Sequence, residues 1–162
     1  KNVPRIDGRG LVTGQTKFVT DLNLPNMLVG KMLRSPHPHA RIIRIDTTKA
    51  EQLPGVKAVI TAADTHKIKF GSNEFFFPHT VDQIDLEAEK VRYIGDEICA
   101  VAAIDEPTAE AALKLVDVEY EILPAVFEMQ EAMKPGAPKI HDAMNNIGVI
   151  LPVNFGNPDR AL

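Results

Sequence analysis

The sequence is short of several things, and each shortage closes off a class of function. Its 162 residues include a single cysteine, Cys99. One thiol can form neither an internal disulfide nor a cysteine metal cluster. Set in an apolar run, it reads as a buried, inert group and favours a reducing, intracellular setting. Like charges never gather into a tail, and the net charge is only −4. No Lys/Arg patch is interleaved with aromatics, which argues against nucleic acid as a partner. No apolar stretch approaches the roughly 20 residues of a membrane span, so no membrane partner is expected. No signal peptide opens the chain, and a cytoplasmic location is the expectation. The first residue is Lys1 rather than methionine, so the chain is expected to be a piece of something longer.

Ready-made chemistry is equally scarce. "GRGLVTG" has glycines but neither the G-x-x-x-x-G-K-[ST] spacing nor a preceding strand that a phosphate loop needs. Ser35 has histidines and an aspartate nearby in sequence, yet no strand-turn-helix elbow presents it as a nucleophile. There is no internal repeat and no low-complexity segment.

What remains is an ordinary globular composition, 44% hydrophobic and 25% charged. At this length it is one domain with a core that removes roughly 70% of the unfolded surface from water. The opening segment is punctuated by Asp7-Gly8, Gly10, Thr13-Gly14 and Pro25-Asn26, with a short β-like run over Thr16–Thr20. Strands are expected at Met27–Leu33, Ala40–Asp46 and Val56–Thr61. Thr48 followed by Glu51 fits a capping box for a short helix that Pro54-Gly55 ends. Ala62–Lys90 reads as a long loop, the usual carrier of function, with the carboxylates of Asp82, Asp85, Glu87 and Glu89 as a solvated face. Two strands, Val91–Ile94 and Ile98–Ile104, flank Gly95-Asp96. Asp105 and Pro107 start the clearest helix, whose apolar face is Ala109, Ala112, Leu113 and Val116, with Glu110 able to reach Lys114. "VEYEIL" is a strand ending at Pro124, "EMQEAM" a helical turn, and Ile147–Val153 a last strand. The order predicts an α+β fold with a mixed sheet and two main short helices.

The one constellation worth weighing is "RSPHPHA". In a strand, His37 and His39 would share a face and could both reach one ion. Zinc wants a third ligand, and His66, His79 and His141 are scattered in loops. Pro36 and Pro38 make an extended corner, where the imidazoles would bond carbonyls and pin a structural turn.

The run "RIDGRGLVTGQTKF", the segment "TDLNLPNMLVGKMLRSPHPHARIIRIDTTKAEQLPGVKAVITAAD", then "VRYIGDEICAVAA", "VEYEILPAV", "IHDAMNNI" and "GNPDRAL" together resemble the start of a known large subunit. It is the molybdenum-cofactor subunit of the xanthine dehydrogenase and aldehyde oxidase family. The resemblance covers almost the whole chain. "LPAV" and "GAPKIHDA" look most like the branch of 4-hydroxybenzoyl-CoA reductase and carbon monoxide dehydrogenase. Leu11 stands where a basic residue is usual, Met144 where proline is common, and Asn26 where glycine is usual. Asparagine also tolerates the left-handed backbone such a turn needs.

The resemblance implies an α/β hammerhead domain over residues 1–150, with 151–162 opening a linker to molybdopterin-binding domains. It implies a parent oxidoreductase that uses molybdopterin and iron–sulfur clusters and often flavin. The partners would be the remaining domains of the large subunit, an iron–sulfur subunit and a flavin subunit. The pterin-binding loops and catalytic glutamate of the family have no counterpart in these residues, so no catalytic, cofactor-binding or metal residue is carried over. The role implied is architectural, and the chain alone is expected to be inactive. Phe75, Phe76 and Phe77 cannot all face one core; taken alone they read as a core-plugging loop ahead of a partner-binding one, and with the parent subunit that the resemblance implies they are the candidate interface. The competing reading is a free-standing module that binds a metal or small ligand at the His37/His39 corner.

Overall fold

A computed structural model describes residues 3–71, 81–142, 146–148, 150 and 155–156. Among the described residues six strands are present: β1 (Val29–Arg34), β2 (Ala40–Asp46), β3 (Val56–Thr61), β4 (Lys90–Val91), β5 (Glu97–Ala103) and β6 (Asp117–Ile122). Four short α-helices accompany them there: α1 (Gly8–Val12), α2 (Thr48–Glu51), α3 (Glu106–Leu113) and α4 (Met129–Ala132). None of the helices described is long and apolar enough to cross a membrane.

The strands form two three-stranded sheets, ordered β1-β5-β3 and β4-β2-β6. Every pairing is antiparallel. The α+β class therefore stands, while the expected single mixed sheet is corrected to two antiparallel ones. The reason lies in the connections. β5 pairs with β1 and β3, and β2 with β6, across long stretches of chain, and no βαβ crossover of the kind parallel strands need is made. One core joins both sheets: Ala40, Ile42 and Val91 from one pack with Ile98, Cys99 and Val101 from the other, over Ala50 and Ala112 of α2 and α3.

Local signals explain most of the elements. Asp105 caps α3 by accepting from the Thr108 amide at 2.9 Å, and Pro107 sits in its first turn. Ala109 and Ala112 are buried beneath it. The helix ends at Leu113, and Glu110 turns to Lys31 at 3.4 Å rather than to Lys114. Gly55 has φ +96°, and a Cβ there would lie 3.1 Å from Ile104 Cδ1 and Thr108 Cγ2, so only glycine fits. Asn26 has φ 61°, the left-handed conformation that asparagine tolerates.

Other local readings are overturned. The N-cap of α2 is Thr47, whose hydroxyl donates to the Glu51 carboxylate at 2.5 Å, while Asp46 just before it accepts from the Thr48 amide at 3.1 Å. The capping box from Thr48 to Glu51 is thus not formed, and Asp46 satisfies the first amide of the helix instead. The β-like run over Thr16–Thr20 is no strand: its end enters a 3₁₀ turn, Val19–Asp21, that Asp21 closes by accepting from the Phe18 amide at 2.9 Å. Phe75, Phe76 and Phe77 lie outside the described residues, as does most of the strand expected over Ile147–Val153.

Candidate functional site

The histidine corner is built by β1, β2 and the turn that leads into β5. Ser35 closes it. Its hydroxyl donates to the His37 carbonyl at 2.9 Å and accepts from the His37 amide at 3.0 Å. Its backbone is tied to the Gly95-Asp96 turn by two hydrogen bonds of 2.8 and 2.9 Å. His39 is 4% exposed, and its Nδ1 lies 2.7 Å from the Pro124 carbonyl. Its Nε2 has no protein partner. His37 stands edge-on to Tyr120, ring centroids 4.8 Å apart. The two rings are thus turned to different neighbours, one to the end of β6 and one to a β6 side chain. Among the described residues, no group of three or more His, Cys, Asp and Glu side chains is placed to hold a metal ion.

The larger concentration of ionisable groups lies elsewhere. A cleft of about 450 Å³ opens between the 82–87 loop, the Arg92–Glu97 turn and His141, with Met32 and Phe70 at its apolar edge. Sequence reasoning assigned Glu87 to a solvated face, and the structure corrects this. Glu87 is 6% exposed, its amide donates to the Glu97 carbonyl at 2.7 Å, and its carboxylate takes Arg92 Nη1 at 2.7 Å. Arg92 also donates from Nη1 to the Lys90 carbonyl at 3.1 Å, while its Nε is buried with no partner. Asp96 is also 6% exposed and accepts from the Arg92 amide at 2.9 Å.

Burial governs the electrostatics here. It pushes the Glu87 carboxyl up to about 7, against the pull of Arg92 and with a further push from Asp96. Asp96 is raised in the same way, with the Arg92 amide opposing. At the mouth of the cleft Asp82 pairs with His141. Beside it Asp142 takes Lys90 Nζ at 3.0 Å, which lowers the Asp142 carboxyl. Asn146, at φ 65°, holds the same segment: its side chain accepts from the Ile140 amide at 2.9 Å and donates to the Pro138 carbonyl at 2.7 Å.

This cluster is a clasp, with Arg92 spent on Glu87, Asp82 on His141 and Lys90 on Asp142, and the Arg92 Nε left without a partner. No nucleophile stands beside a base within it, and Cys99, wholly buried, has its thiol pushed up to about 11. The groups implied by the family resemblance do not fit these residues. An iron–sulfur cluster needs several thiolates, and the chain has one. A pterin phosphate would meet Asp82, Glu87 and Asp96 rather than a glycine cradle.

Comparison with known proteins is specific. Residues 13–124 match the family model described as aldehyde oxidase and xanthine dehydrogenase, a/b hammerhead domain. A probable xanthine dehydrogenase subunit of Bacillus subtilis is 48% identical over 141 residues, 87% of this chain and 18% of its own length. The aldehyde oxidoreductase of Desulfovibrio desulfuricans superposes with a TM-score of 0.83 at 31% identity, over 91% of this chain and 17% of that one. The carbon monoxide dehydrogenase of Oligotropha carboxidovorans gives 0.74 at 39% identity, over 84% and 17%. The chain thus spans less than a fifth of the length of each.

Proposed function

The chain belongs to the aldehyde oxidase and xanthine dehydrogenase family, as its a/b hammerhead domain, and from that premise we propose that it is an architectural domain of a molybdenum hydroxylase large subunit. It packs against the molybdopterin-binding domains and the iron–sulfur partner, and a flavin subunit completes the electron path in some assemblies. Molybdopterin and the clusters belong to those parts. The hammerhead domain extends over residues 1–150, and 151–162 lead into the next domain. The setting is cytoplasmic, in keeping with one buried, unpaired cysteine.

The observation that carries this reading is apolar surface left open at both ends of the chain. Val3, Ile6, Val12, Val19, Phe127, Met129 and Phe155 are all more than three-quarters exposed. Scattered exposed apolar residues need no explanation, but two ends both rich in them suit a domain that neighbours cover. Phe75, Phe76 and Phe77 are the candidate contact with those neighbours, and His37 and His39 are corner residues rather than ligands.

Two measurements test the proposal. Plasma mass spectrometry of the purified chain should find no bound molybdenum, and a stoichiometric amount would overturn the architectural role. Replacing Phe75–Phe77 with serine should abolish assembly with the remainder of the large subunit, and unchanged assembly would remove that segment from the interface.

A further inference from the structure

The central strand of the first sheet carries a signal its surroundings do not satisfy. From Ile98 to Ile104 the sequence reads "ICAVAAI", an apolar run without alternation. Such a strand is expected where both faces of a sheet are covered, whereas a half-solvated strand alternates. Among the described residues only one face is covered. The cross-strand rows Lys31–Val101–Val59 and Leu33–Cys99–Thr61 lie beneath α3, and Lys31 Nζ reaches Glu106 on that helix at 2.5 Å. The alternate rows, Met32–Ala100–Ile60 and Gly30–Ala102–Ala58, face the other way. They hold no polar side chain, yet Met32 is 38% and Ile60 41% exposed, and Gly30 and Ala58 are open.

We propose that this outer face of β1-β5-β3 is the seat of an uncharged apolar segment from the remainder of the same large subunit. The inference rests on the hammerhead reading above and adds the surface and its occupant. Two observations choose that occupant. First, four-fifths or more of each compared relative lies outside the region this chain matches, so covering chain is plentiful there. Second, the face is small. Two rows across three strands span on the order of 10 Å by 7 Å, far below the roughly 800 Å² per partner of a stable association between separate molecules. A patch of that size holds its partner only when the partner belongs to the same assembly, which argues against a second copy of this chain. The small side chains of Gly30, Ala58, Ala100 and Ala102 keep the surface flat, so a neighbouring backbone can approach closely between Met32 and Ile60. Met32 also lines the cleft beside Phe70, itself 44% exposed, so the apolar rows end there against the charged groups of the clasp and the Arg34–Glu97 pair.

Cysteine accessibility tests this directly, because native Cys99 is wholly buried. Ala58→Cys, Phe76→Cys and Lys49→Cys are made singly in the 162-residue chain and in the complete large subunit. Maleimide labelling of each peptide is then followed by mass spectrometry. Ala58→Cys should label at least ten-fold more slowly in the large subunit than in the chain alone, while Lys49→Cys on α2 labels equally fast in both. If Phe76→Cys is protected in the subunit and Ala58→Cys is not, the proposed seat is wrong and the architectural reading survives. If neither is protected, the reading fails and takes the seat with it. Protection of Ala58→Cys in the chain alone, rising with concentration, would assign the face to a second copy and overturn the occupant proposed.

Discussion

Between pH 5 and pH 8 the domain should lose stability, and Glu87 should be the main cause. Its carboxyl is pushed from 4.5 up to about 7 in the folded state. The folded chain therefore binds this proton more tightly than the unfolded chain does. The favourable contribution is complete below about 4.5, fades as pH rises, and is gone above about 7. At about 1.4 kcal/mol per pH unit the full span is roughly 3.5 kcal/mol, an upper figure. Water at the cleft mouth and relaxation of Arg92 reduce it to about 1–2 kcal/mol, or roughly 3–6 °C in Tm for a chain of this size. Burial raises the Asp96 carboxyl in the same direction. Thermal or urea unfolding at pH 5, 6, 7 and 8 measures it, with Glu87→Gln alongside. The variant cannot release the proton, so its profile should be flatter by most of that amount. A wild-type chain equally stable at pH 5 and pH 8, or a Glu87→Gln profile parallel to it, would refute the argument that desolvation rather than Arg92 dominates this carboxyl.

Three further outcomes follow from single contacts. Gly55→Ala should cost more than about 2 kcal/mol in urea unfolding, since a Cβ at φ +96° meets Ile104 and Thr108 at 3.1 Å. Asp105→Ala should cost about 1 kcal/mol by removing the cap on the Thr108 amide, with Asp105→Asn or Asp105→Ser recovering most of it. Cys99 should resist iodoacetamide at pH 8 for as long as the chain stays folded and react fully in urea, because it is wholly buried with its thiol pushed up to about 11.

Much of this fold could be read residue by residue, and the misses share a cause. β2 and β3 fall on the residues their alternation and flanking turns indicate, and α3 begins at the aspartate and proline that start it. Those signals are local. The buried state of Glu87 is not: it depends on Arg92 and on the Glu97 carbonyl, which only the folded chain brings to it. An acidic loop residue looks solvated until its partner is placed. The start of α2 at Thr47, with Asp46 on the Thr48 amide, is hidden for a smaller reason, since two threonines and an aspartate compete for the same amides and sequence order alone does not choose among them. The two-sheet division was hidden because β2 finds β6, from Ala40 opposite Ile122 to Asp46 opposite Asp117, across intervening strands. Of the site residues, His37 and His39 were visible from their spacing, while the bond from Asp82 to His141 joins positions that nothing in the sequence links.

The pairing order has a consequence on the ribosome. β1 ends at Arg34 but its partner β5 begins at Glu97, and β2 ends at Asp46 while β6 begins at Asp117. At roughly 5–20 residues per second, each early strand emerges about 3–15 seconds before the strand it must pair with. During that interval "MLVGKML" and "ARIIRID" leave the exit tunnel with open edges and apolar side chains uncovered. Translation speed over the Ala62–Lys90 stretch therefore sets how long the nascent chain stays exposed to chaperones and to its neighbours. Slowing synthesis there lengthens the vulnerable interval, because β5 and β6 still lie ahead.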